Sequence, residues 1–252
     1  MPRQQSPSSS PSVLADGLEF LGNRWVAVLL LALPVLQGLN LALVSSSDTR
    51  KFLSNLFQAA AAAVMAATMI RAARKLHREG SESAAGWSFI AAAASFWTMG
   101  MVSFMFVEMV LRLRPYPGVA DVFYFLFYPF MVIGLWRLPR ESATRAEQWD
   151  HALDVGALAV VSLVVIWHSN LRLLFHSLTT QPNAGVVVSL GYTVADALLL
   201  WLIFSKLVRR LHQGRDFLPK LLLLLGGFCL IAADLLRSRV TAYADFASGS
   251  PI

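Results

Sequence analysis

FLSNLFQAAAAAVMAATMI occupies residues 52–70, and RAARKLHREG follows directly at 71–80. The first stretch contains no charged residue and approaches the roughly 20 residues a helix needs to cross a hydrocarbon core about 30 Å thick. Lipid cannot hydrogen-bond a bare backbone, so such a segment must satisfy its peptide groups internally, as an α-helix. Its alanines let neighbouring helices come close, which predicts a central, tightly packed position. The bases that follow, Arg71, Arg74, Lys75 and Arg78, mark the point where the chain leaves the membrane.

Working outward, comparable runs occupy 25–44, 87–111, 119–138, 149–168, 184–205 and 217–236. The fold class expected is therefore all-α: a polytopic transmembrane helical bundle of about seven spans. Of 252 residues, 56% are hydrophobic and 14% charged, which leaves little chain for a soluble domain. The net charge of +6 would suit nucleic acid, but the bases sit in short loops between spans, so no nucleic-acid partner is expected. The loops on the side of residues 71–80 carry twice the Lys and Arg of those on the other side. The richer side should be cytoplasmic, which places the N-terminus inside and, after seven spans, the C-terminus outside.

Residues 1–20 read as a disordered tail that opens MPRQQSPSSSPS, 21–240 as the membrane domain, and 241–252 as a short external tail. The first span is too long, and too far behind a polar tail, for a signal peptide. RLRPYPG at 112–118 should force an immediate reversal into the fourth span. LRLLFHSL at 171–178 reads as a short interfacial helix with Arg172 and His176 toward water. Cys229 is alone, which excludes an intrachain disulfide and a cysteine metal site.

Ionisable groups within a bilayer are expensive and should face one another or a wet cavity. Glu108, Asp121, His168 and Asp234 fall in the outer third, with Arg112, Arg114, Arg172 and Arg237 above them. Asp196 falls near mid-membrane, and Asp150, His151 and Asp154 near the cytoplasmic end of the fifth span. Glu108, Arg112, Asp121, His168, Asp196, Asp234 and Arg237 are the candidate ligand-sensing residues. The same groups also suit helix-to-helix hydrogen bonds and caps, and both readings stay open here. Asp121 in particular sits in the first turn of its helix, where exposed N–H groups favour a carboxylate. The spacings Glu108–Arg112 and Asp234–Arg237 allow intrahelical ion pairs.

VADVFYFLFYP at 119–129 resembles VADALLLWLIF at 194–204, each with a tyrosine shortly before it, Tyr116 and Tyr192. Both run outside to inside, but at different depths. At 1.5 Å per residue Asp121 lies about 24 Å before Arg137, and Asp196 only about 15 Å before Lys206.

Several chemistries find little support. His151 and His168 lie at opposite membrane faces, so no paired-haem site is expected, and a metal site of His168, His176 and a carboxylate is a weak alternative. A retinal site needs a lysine deep in the last helix, where there is only Lys220 near its start. No phosphate loop, G-x-S-x-G or HExxH motif occurs, so the chain is not expected to be an enzyme, and no cofactor is indicated.

PYPGVADVFYFLFYPFMVIGLWRLPR (115–140), LGYTVADALLLWLIF (190–204) and IAADLLRSRVTAY (231–243) resemble segments of the membrane-embedded N-terminal regions of bacterial GGDEF and GGDEF–EAL proteins. Y-P-x-x-A-D-x-F-Y is the distinctive core. The resemblance implies a membrane input domain that regulates cyclic-di-GMP signalling from the bacterial inner membrane. This sequence ends after the seventh span and carries no GGDEF or EAL motif. The catalysis of that family is therefore not carried over. The expectation is a non-catalytic sensor module, embedded in the lipid bilayer and acting as a homo-oligomer or with another membrane protein. The alternatives are a small transporter or channel subunit, with Asp196 as its ion or proton site, and a structural subunit of a larger complex.

Overall fold

A computed structural model describes residues 24–113, 116–138, 145–180 and 183–211, and among these every regular element is helical. The helices are α1 (Arg24–Leu43), α2 (Ser47–Arg78), α3 (Ala84–Met109), α4 (Val119–Arg137), α5 (Arg145–Ile166), α6 (Arg172–Thr180) and α7 (Ala184–Leu211). α1 to α5 and α7 overlap the apolar runs at 25–44, 52–70, 87–111, 119–138, 149–168 and 184–205, and α6 overlaps the expected interfacial helix. The tails at 1–20 and 241–252 and the seventh expected span at 217–236 lie outside the described residues.

Four of the helices are long and apolar enough to cross a membrane: Asp48–Arg78 within α2, Ala84–Met109, Val119–Arg137 and Ala184–Ile203 within α7. Their packing is the inverse of a soluble core. The buried positions are mostly small, among them Ala59, Ala62, Ala66, Ala91, Ala93 and Ala94, while Phe106, Val122 and Leu198 are exposed. In water that surface would aggregate; against lipid tails it is the low-energy arrangement. Hydroxyls along the helices are satisfied internally: Ser88, Ser95 and Thr98 donate to the carbonyls of Ala84, Ala91 and Ala94, each at 2.9 Å.

Local chemistry sets the turns. Gly80 ends α2 with φ +66°, a left-handed conformation that glycine adopts without a Cβ clash. Its N–H donates to His77 O at 3.2 Å and that of Ser81 to Leu76 O at 3.0 Å, the paired bonds of a Schellman stop. At the other end of α2, Asn40 of α1, only 4% exposed, donates to Arg50 O at 3.0 Å and to Ser54 Oγ at 3.1 Å. Gln37 also donates to Ser54 Oγ, at 2.9 Å, so polar side chains fasten α1 to α2.

α3 packs extensively on both α2 and α4. The α3–α4 contact is backbone on backbone at Gly86 and Gly134. A Cβ on Gly134 would lie 2.7 Å from Ile90 Cγ1 and 3.0 Å from Gly86 O, and one on Gly86 would lie 3.0 Å from Gly134 O. Further along, Gly100 leaves room for the Tyr124 ring, which a Cβ would meet at 2.5 Å. Trp97, Phe127 and Tyr128 continue the packed centre with Ala93 and Leu199.

Chain order and spatial order then part. The principal neighbour of α4 beyond α3 is α7, not α5, and α7 also packs on α5. α7 is thus inserted between α4 and α5. The expected break between the fifth span and a separate interfacial helix is instead a π-helical turn, Trp167–Leu171, that joins α5 to α6. Trp167 and Phe175 pack across that turn with ring centroids 5.9 Å apart. Arg172 and His176 are exposed on α6, as expected.

The glycine contact gives a matched test. Gly134→Ala should cost about 1–3 kcal/mol by overpacking. Gly38→Ala, with nothing within 4 Å of the added carbon, should be neutral or stabilising by about 0.5–1 kcal/mol. Unfolding in mixed micelles, followed by circular dichroism, measures both; equal effects would show that the α3–α4 approach does not limit packing.

Candidate functional site

The described acids of the candidate group each meet a polar partner, and two of them meet along a single seam. α4 carries Asp121 and Tyr128, seven residues or about 10 Å apart, on one stripe. α7 carries Tyr192 and Asp196, four residues or about 6 Å apart, on another. The stripes face each other reciprocally. Tyr192 Oη donates to Asp121 Oδ1 at 2.7 Å, and Tyr128 Oη donates to Asp196 Oδ1 at 2.6 Å. Above them, Tyr116 Oη and Ser189 Oγ are 2.6 Å apart. The three contacts advance together along both chains, so α4 and α7 run parallel. The two A-D segments do lie side by side in one direction, but Asp121 is level with Tyr192 rather than with Asp196. Asp196 accordingly lies further from the Tyr116 end of the seam than Asp121 does.

Local structure holds the seam in register. Asp121 uses its second oxygen at its own helix start, where Oδ2 accepts from Gly118 N at 2.7 Å. One carboxylate therefore caps α4 and fastens α7. Phe125 stacks on Tyr192 with centroids 4.5 Å apart and planes 13° apart. Gly191 makes room for that ring, since a Cβ there would lie 2.9 Å from Phe125 Cζ. Pro129 follows Tyr128 inside α4 and cannot donate a helical bond to the Phe125 carbonyl.

The remaining candidates lie elsewhere. Glu108 accepts from Asn55 Nδ2 at 2.8 Å and so bridges α3 to α2. The Glu108–Arg112 helical spacing does not persist: α3 ends at Met109, and Arg112 lies beyond it with φ +52°. Four-residue neighbours share a helix face only while the helix continues. His168 sits in the π-helical turn, exposed, with Nδ1 3.3 Å from Val164 O. No group of three or more His, Cys, Asp or Glu side chains suited to a metal occurs among the described residues, so His168, His176 and a carboxylate do not assemble there. Asp234 and Arg237 lie outside the described residues, as do Arg114 and Cys229.

The partners Asn55, Tyr128, Tyr192 and Ser189 were not among the sequence candidates. The spacings D-x6-Y in α4 and Y-x3-D in α7 were the available signal, because each puts an acid and a phenol on one helix face.

A double-mutant cycle tests the deeper bond. Tyr128→Phe and Asp196→Ala should show a coupling of about 0.6 kcal/mol, and at most about 1.7, the range for interhelical hydrogen bonds in membranes. Strictly additive losses of stability would remove the Tyr128–Asp196 bond from the account of the seam.

Comparison with protein-family models, curated proteins and solved structures gives no match for this chain.

Proposed function

We propose that this chain is a non-catalytic integral membrane sensor, an input module of the kind that regulates diguanylate cyclases, with the α4–α7 seam as its responsive element. The observation that carries this reading is the reciprocal pair of tyrosine–aspartate bonds joining two parallel helices. A separate contact, Tyr116 with Ser189, ties a loop residue to the second turn of α7, and the pair continues from there to Asp196. α7 has 28 residues, about 42 Å of helix, against a hydrocarbon core of about 30 Å. A stimulus that displaces Tyr192 from Asp121 at one membrane face is thereby transmitted along a rigid helix to the basic segment Lys206–Arg210 at the other.

The seven-span topology is part of the same proposal: residues 217–236 as the seventh span, N-terminus cytoplasmic, in a bacterial inner membrane. The alanine-lined surfaces and exposed apolar faces suit a homo-oligomer or a second membrane protein as the route to output. Glu108 joins α2 to α3 in this scheme and supports the bundle. Asp234 and Arg237 complete the outer group.

Two measurements test this reading. Cyclic-di-GMP in host cells expressing the chain should change several-fold between the parent and Asp121→Asn or Asp196→Asn, and a diguanylate cyclase should cross-link to the parent. Unchanged nucleotide levels with no such partner would refute the input-module reading, and proton flux in vesicles abolished by Asp196→Asn would replace it with transport. Separately, a tag at the N-terminus should be reachable only from the cytoplasm and one at Ile252 only from outside; the reverse would overturn the orientation.

A further inference from the structure

At the end of the bundle opposite Tyr116, α2 and α3 flank a groove of about 500 Å³. Its head is basic and its floor apolar: Arg74, His77 and Arg78 stand at the turn, and Ile70, Ala73 and Ala91 lead inward. We infer that this groove binds one anionic phospholipid, with the phosphate held by Arg74 and Arg78 and an acyl chain laid along the alanine floor.

Three observations carry the inference. The first is charge. Lys75 is paired with Glu79 at 3.9 Å, whereas Arg74 and Arg78 have no ion-pair partner among the described residues and are exposed. His77 adds an imidazole N–H donor beside them. Basic pockets between transmembrane helices at the bilayer surface suit anionic head groups.

The second is shape. Arg78 to Ile70 covers eight residues, about 12 Å of helix rise, against about 15 Å for one leaflet's hydrocarbon depth. Arg74 stands midway, so the lining continues about 6 Å beyond the bases along α2 as far as Ile70. A free phosphate would fill only its mouth.

The third is the lack of competing donors on the wall. Ser88 and Ser95 line the groove, but their hydroxyl protons are committed to Ala84 O and Ala91 O at 2.9 Å. That leaves the three basic side chains as the donors for a head group, and the partly exposed Ile70 and Ala92 as the contact for a tail.

The proposal depends on the bilayer surrounding these helices and not on the signalling role. Its test uses the full chain, purified from vesicles of phosphatidylcholine alone or mixed with phosphatidylglycerol. Native mass spectrometry then reads the retained lipid. The parent should retain one phosphatidylglycerol in preference to phosphatidylcholine. Arg74→Gln with Arg78→Gln should weaken retention about 30-fold, at about 1 kcal/mol per arginine near a membrane surface. Ala92→Trp, which fills the floor and leaves every base in place, should also lower it. No preference for the anionic lipid in the parent overturns the proposal without recourse to any variant. Ready displacement by inorganic phosphate, or full retention in Ala92→Trp, also overturns it and leaves a simple anion site.

Discussion

A carboxylate surrounded by hydrocarbon has no water to turn to, and the rest of this bundle is arranged around that constraint. Glu108, Asp121 and Asp196 each receive a hydrogen bond from a side chain on another helix. These donors are neutral, an amide and two phenols, so protein dipoles contribute to the solvation of all three acids. Because lipid tails are as apolar as leucine, apolar faces alone discriminate poorly between possible neighbours. The polar pairs discriminate well, since a mispaired helix would leave a buried acceptor without its donor.

Small residues supply the complementary half. Gly86 and Gly134 bring two backbones into contact, and Gly100 and Gly191 receive the rings of Tyr124 and Phe125. The aromatic residues of α4 are thereby seated on both sides, toward α3 through Trp97 and Phe130 and toward α7 through Tyr192. α4 is consequently the element through which the α2–α3 half and the α5–α7 half communicate. Its first turn is also where Asp121 joins a local cap to a long-range bond, so disturbing α4 there disturbs both at once.

Much of the architecture was legible in the residues. The helical class was legible, and four described helices cover apolar runs long enough to cross a membrane, because a backbone in hydrocarbon must satisfy its peptide groups internally. Asp121 announced the start of α4, because it acts within one turn of itself. The candidate site was less legible. The acids could be picked out as costly, but their partners lie 53, 71 and 68 positions away, and no local rule selects Asn55, Tyr192 or Tyr128 from the other polar residues of the spans. The Glu108–Arg112 pairing failed for a local reason, since the helix unwinds at Val110 before Arg112 can take its place on the face.

The sequence by itself therefore determined that these segments are helices and that their surfaces suit lipid, because those outcomes follow from solvation of the backbone and of individual side chains. Only the tertiary structure decided that α7 enters between α4 and α5, that α4 and α7 run parallel in the register set by Asp121–Tyr192 and Tyr128–Asp196, and that α5 passes into α6 through a π turn. These are choices among helix pairings whose apolar contact energies are nearly equal, and they are resolved by which glycines and polar groups fit together in three dimensions.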